Sequence, residues 1–221
     1  MPRIARVCAI NYPHHITQRR NNKEPVFFKE EDRGFYLKTL SKYSHKYYLE
    51  IWAYCLMSNH AHILAVPKKD ESLARGIGGT NLVYTQYINR KYKRSGRLWQ
   101  NRFYSTIIEK EPYLWAVARY IERNPVRAKL EKRAEGYIWS SARSHVLGKR
   151  DDILSGSWLG EKEISVYSDF FRKEDNGTET LIRKATSTGR PLGTERFIKG
   201  LEKILGRDIF AKKAGRSKRG E

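Results

Sequence analysis

The 221-residue chain is 39% hydrophobic and 31% charged, with a formal net charge of +20 and a pI of about 10.0. That length suffices for one well-buried domain plus an extension, or for two small domains, and the positive excess points to a polyanionic partner. Two cysteines without CxxC spacing exclude a disulfide scaffold and a Cys-rich zinc module, and no apolar run reaches the ~18 residues of a membrane span or forms a signal-peptide core, so a cytoplasmic protein is expected.

In chain order, "HHITQR" (His14 to Arg19) alternates and predicts a first strand. The stretch from Phe27 to Tyr48 predicts a helix, with Phe35, Leu40 and Tyr43 as a partial apolar stripe. Glu30, Glu31 and Asp32 at its start and Lys42 and Lys46 at its end suit the helix dipole. "LEIWAYCLM" predicts a strand with Leu49, Ile51, Ala53 and Cys55 on one face and Trp52 and Tyr54 on the other. Ser58-Asn59 marks a turn, and "HAHILAV" returns as the second arm of a hairpin.

Asp70 is placed to cap a second helix carrying Leu73, Ile77, Tyr84 and Ile88, although Gly76, Gly78 and Gly79 weaken its first half. "FYSTIIE" predicts another strand. Glu111-Pro112 then opens a helix with Leu114, Val117, Ala118 and Ile121 as its stripe, ended or kinked at Asn124-Pro125. The order β-α-β-β-α-β-α predicts an α+β fold of ferredoxin-like, RRM-like type, an antiparallel sheet with helices on one face. Residues 1–148 form the expected main domain and 149–206 a mainly helical extension. In the extension, helices are expected around Ile164 to Phe171 and Thr194 to Leu205, with "ATSTGRPLG" as a loop between them. Residues 207–221 read as a disordered basic tail.

Two histidines, His60 and His62, lie two apart on a predicted strand and so share a face, where two imidazoles can reach one metal ion. Alone, the HxH spacing favours coincidence. Tyr120 and Asn124, four apart, share a helix face beside the apolar stripe. By themselves they read as a core-edge tyrosine and a helix cap, and Tyr113 is a rival to Tyr120. Basic residues interleave with aromatics, a pattern suited to single-stranded nucleic acid.

The ordered blocks "YCLMSNHAHILAVP", "LWQNRFYSTII", "RYIERNPVRAKL" and "WSSAR" resemble the single-tyrosine HUH transposases, most of all the REP-associated tyrosine transposases. The resemblance spans Pro13 to about Ser144, and "GRPLGTERFIKGLEKILGR" resembles the extension of some members. One departure is Arg20, where glycine is expected. The resemblance implies a DNA transposase that cleaves and rejoins single-stranded, hairpin-bearing DNA through a 5′-phosphotyrosine, working as a monomer or homodimer. It implies Tyr120 as nucleophile, His60 and His62 as ligands of Mg²⁺ or Mn²⁺, and Asn124 as a polar third ligand. Arg90, Lys91, Lys93, Arg94, Arg97 and Arg102, with Arg119, Arg123 and Arg127 around the nucleophile, are the expected DNA-binding residues. Two other readings stay open: a non-catalytic nucleic-acid-binding regulator, and a zinc hydrolase drawing a further ligand such as His14 or His15.

Overall fold

Four strands and the helices between them follow the expected order in the computed structural model, which describes residues 7–155, 158–175 and 177–209. The strands are β1 (His14–Arg19), β2 (Leu49–Met57), β3 (His60–Pro67) and β4 (Tyr104–Ile107). They form one antiparallel sheet in the order β2-β3-β1-β4, the ferredoxin-like arrangement. Helices α1 (Glu30–Lys46) and α2 (Gly78–Lys91) pack on one face, over Ile16, Ile51, Tyr54, Leu56, Ala61 and Ile63. Helix α3 (Lys110–Glu122) covers the other, against Ala53, Cys55, Leu64 and Val66. Both faces are thus buried, and the site lies on the α3 side.

The faces of β2 differ from strict alternation. Ile51 pairs with Ala65 and Ala53 with Leu64, so Trp52 is an extra residue in a bulge. Beyond it the alternation reverses: Leu49 and Ile51 share the α1 side with Tyr54 and Leu56, while Ala53, Cys55 and Met57 face α3.

Asp32, fully buried in the first turn of α1, accepts backbone N–H bonds from Phe28 and Lys29. Asp70 does not cap the second helix as expected. The chain enters it through a wide turn (Ser72–Ile77), and Ser72 Oγ instead accepts the Lys69 N–H. Gly76 and Gly79 allow close packing there: a Cβ would come within 2.9 Å of Leu49 Cδ2 and 2.5 Å of the Tyr43 ring, so that any other residue would push these side chains aside.

After α3, a one-turn helix α4 (Asn124–Arg127) follows Arg123, so Asn124-Pro125 turns the chain. The rest contributes α5 (Ala142–Leu147), α6 (Glu161–Arg172), α7 (Thr178–Thr188) and α8 (Glu195–Leu205). Helix α7 corrects the expected loop: Ala185 to Thr188 are helical, and the chain leaves at Gly189 with φ 70°. Its Ser and Thr residues carry little helix propensity, and its helicity rests on burying Ile182 and Ala185 against the core. The expected basic tail lies, from residue 210 on, outside the described residues.

Candidate active site

Strand alternation places His60, His62 and the β1 residues His15, Thr17 and Arg19 on the sheet face toward α3. The register pairs Thr17 with His62 and Arg19 with His60. Tyr120, near the end of α3, comes down over this patch. Its ring centroid lies 6.0 Å from that of His62 and 5.9 Å from that of His15, and His60 and His62 are 5.0 Å apart. A cleft of about 600 Å³ opens here, lined by His60, His62 and Tyr120 together with Arg19, Arg20, Gln100, Arg183 and Thr186.

The three imidazoles are held neutral by burial, which lowers His60 to about 4 and His15 to about 3, and His62 well below the ordinary 6.5. Neighbouring positive charge, Arg127 in each case, acts in the same direction. A neutral imidazole keeps a lone pair, which a metal ion requires. His15 Nε2 and His62 Nδ1 lie 2.9 Å apart, and Thr186 Oγ1 is 3.1 Å from His15 Nδ1. His14, the other histidine considered as a ligand, bonds to Ser105 Oγ and Ala9.

Among the described residues there is no group of three or more His, Cys, Asp or Glu placed to hold a metal ion. Two histidines on one cleft wall form a two-point donor set. That suits an ion whose other positions are filled by phosphate oxygens and water, and not a closed zinc site. Asn124 lies one turn beyond Tyr120, but its amide nitrogen donates to the Tyr120 and Ile121 carbonyls, closing the helix end.

The arginines around Tyr120 have partners within the protein. Arg119, 3% exposed, pairs with Asp175 and donates to the Phe170 and Lys173 carbonyls. Arg123 donates to the carbonyls of Phe171 and Lys173. Arg127 lies over the Tyr120 ring at 4.1 Å, donates to the Tyr120 carbonyl at 2.6 Å and pairs with Glu179 on α7 at 3.0 Å. Arg119 and Arg123 therefore anchor the extension and do not line the cleft. Lys91 is likewise engaged, with Glu31 and Asp32.

Arg94 is half-buried over Phe28, while Arg90, Lys93, Arg97 and Arg102 are exposed. Arg97 and Arg102 line a second cleft of about 990 Å³ that adjoins the first through Tyr104. Tyr113 packs against the core and does not line the histidine cleft. Sequence reasoning missed Arg19, Arg183 and Thr186. Arg19 was readable, because it sits on the same strand face as the histidines' partners, whereas α7 gave no local signal.

The model of the family "Transposase IS200 like" matches residues 8–124. A Haemophilus influenzae protein, provisionally named as a REP-associated tyrosine transposase, is 24% identical over 165 residues, covering 70% of this chain and 89% of that protein. A solved REP-associated tyrosine transposase bound to a REP hairpin superposes with a TM-score of 0.58 at 17% identity, over 74% of this chain and 96% of that one. The likeness to that structure is one of fold.

Proposed function

The chain belongs to the IS200-like transposase family, and on that premise we propose that it is a metal-dependent nickase and strand transferase for single-stranded, hairpin-bearing DNA. The observation that carries this reading is the convergence of His60, His62 and Tyr120 on one cleft. The Tyr120 phenol oxygen bonds to the scissile phosphorus, and the P–O3′ bond breaks. The departing oxygen takes up a proton as a 3′-OH, and the strand stays attached as a 5′-phosphotyrosine. Attack by a 3′-OH on that linkage reverses the step and joins a strand, so no external energy source is needed.

His60 and His62 would hold a divalent ion, which supplies positive charge to the phosphate oxygens in the transition state. Two nitrogen donors favour Mn²⁺ over Mg²⁺. Asn124 caps the helix, and its amide oxygen is the third donor this reading allows. Arg127 places a guanidinium over the tyrosine ring and orients it. The tyrosine stands at its own chain's histidines, which supports catalysis within one subunit. The solved relative is bound to a REP hairpin, which supports a hairpin substrate here. The second cleft, with Arg97 and Arg102 on its wall, offers a path for the flanking strand. No helix among the described residues is long and apolar enough to cross a membrane.

The test is incubation of the protein with labelled single-stranded hairpin DNA and Mn²⁺. A covalent protein–DNA band is expected. It should vanish in Tyr120→Phe, while hairpin binding persists, and collapse in His60→Ala, His62→Ala or EDTA. Binding without any adduct would return the protein to the class of non-catalytic regulators. An undiminished adduct in Tyr120→Phe would move the nucleophile elsewhere.

A further inference from the structure

We propose that helix α7 of the extension sets the tautomer of one member of the metal-binding pair: Thr186, acting through His15, holds His62 with its proton on Nδ1 and its lone pair on Nε2. This rests on the metal role given to His60 and His62 above. Hydrogen-bond polarity runs along a chain of contacts from α7 to the cleft. Thr186 Oγ1 donates its one proton to the Ile182 carbonyl at 2.7 Å. Toward His15 Nδ1, 3.1 Å away, it therefore acts as an acceptor, so that nitrogen carries the proton. In a neutral ring His15 Nε2 is then bare. It lies 2.9 Å from His62 Nδ1, and a hydrogen bond there requires the proton to be on His62. His62 Nε2 is left with a lone pair, on a ring that lines the cleft.

His60 shows the same pattern by a local route. Its Nδ1 meets Asn59 Oδ1 at 2.5 Å, an acceptor, which again leaves Nε2 as the bare nitrogen. The two rings of the pair thus offer the same kind of donor atom. Reversing the Thr186 end would put a proton on His62 Nε2 and remove that donor. Thr186 is a positioning residue: its contact is with His15 and not with the metal-binding nitrogen. A partner one step removed from a metal ligand typically changes metal affinity by about 10- to 100-fold when lost.

The experiment uses the full chain and Mn²⁺ alone, with free ion followed by electron paramagnetic resonance, beside ¹⁵N long-range NMR of the histidine rings in the metal-free protein. The wild type should bind Mn²⁺ and show His15 and His62 as Nδ1–H tautomers. Thr186→Val keeps shape and removes the acceptor. It should weaken Mn²⁺ by about 10- to 100-fold and mix the His62 tautomers, while Thr186→Ser restores both. Equal affinity and unchanged rings in a folded Thr186→Val would overturn the proposal. So would an Nε2–H tautomer of His62 in the wild type, whatever the variants do. Wild-type protein that shows the expected tautomers but binds no Mn²⁺ would defeat the metal role and leave the relay standing.

Discussion

Burial holds the His14 imidazole at about 4 and that of His15 at about 3, against an ordinary 6.5 in an unfolded chain. Below pH 6.5 the unfolded chain therefore binds protons that the folded chain refuses. This part of the stability is fully present above 6.5 and is lost as pH falls through the folded values. Melting temperature should stay level from pH 8 to about 6.5 and then fall steeply toward pH 4, and His14→Gln should flatten that fall. A melting curve insensitive to acid would show that the rings are not buried as described. At the same scale, Arg127 joins Tyr120 to Glu179 with one planar group. Lys lacks the fork to hold both, so Arg127→Lys should behave nearly like Arg127→Ala, with adduct formation slowed by roughly 10²-fold and hairpin binding retained. A two-residue strand period and a helix wheel made the faces of the histidine pair and Tyr120 legible in the sequence, while their candidate roles came from the resemblance of the ordered blocks and not from spacing. Thr186 was not, since its contact with His15 joins positions 171 apart.

Among the elements, α3 does two tasks, presenting Tyr120 to the cleft and tying the extension to the core. Glu122 at its end is fully buried and accepts from Ser141 Oγ, His145 Nδ1 and the Tyr167 hydroxyl, drawing α5 and α6 onto α3. Removing the carboxylate strands three buried donors, so Glu122→Ala should cost about 3–5 kcal/mol and lower the melting temperature on the order of 10 °C. Calorimetry checks this, and a loss under 1 kcal/mol would mean that the cluster is not the anchor. Later segments also close the sheet. Leu56 N–H bonds to the Trp139 carbonyl and Ser141 N–H to Tyr54 along the β2 edge, while Leu192 bridges Ile108 beside β4. Both edges are shielded from pairing with other chains. The four core strands were readable from alternation and turn residues. The Trp52 bulge and α7 were not, because each exists through packing: an extra residue in a pairing register, and two buried side chains on a weak helix former.

Over the whole molecule, the +20 charge divides into cations that build the protein and cations that face solvent. Sequence proximity to Tyr120 suggested phosphate contacts for Arg119, Arg123 and Arg127, yet all three turn inward to the extension. Exposed Arg97 and Arg102 line the cleft beside the histidine cleft. The two kinds separate in a salt titration of hairpin binding. Each phosphate contact releases counterions, so the slope of log affinity against log salt counts contacts at about 0.7 to 0.9 apiece. The double variant Arg97→Ala, Arg102→Ala should shallow that slope by roughly 1.5 and weaken binding most at low salt. Arg119→Ala should leave the slope in place, because a side chain 3% exposed and paired with Asp175 has no phosphate to lose, and should lower the melting temperature instead. A slope that changes with Arg119 and holds with the pair would reverse the assignment, placing the DNA over the extension and away from the second cleft.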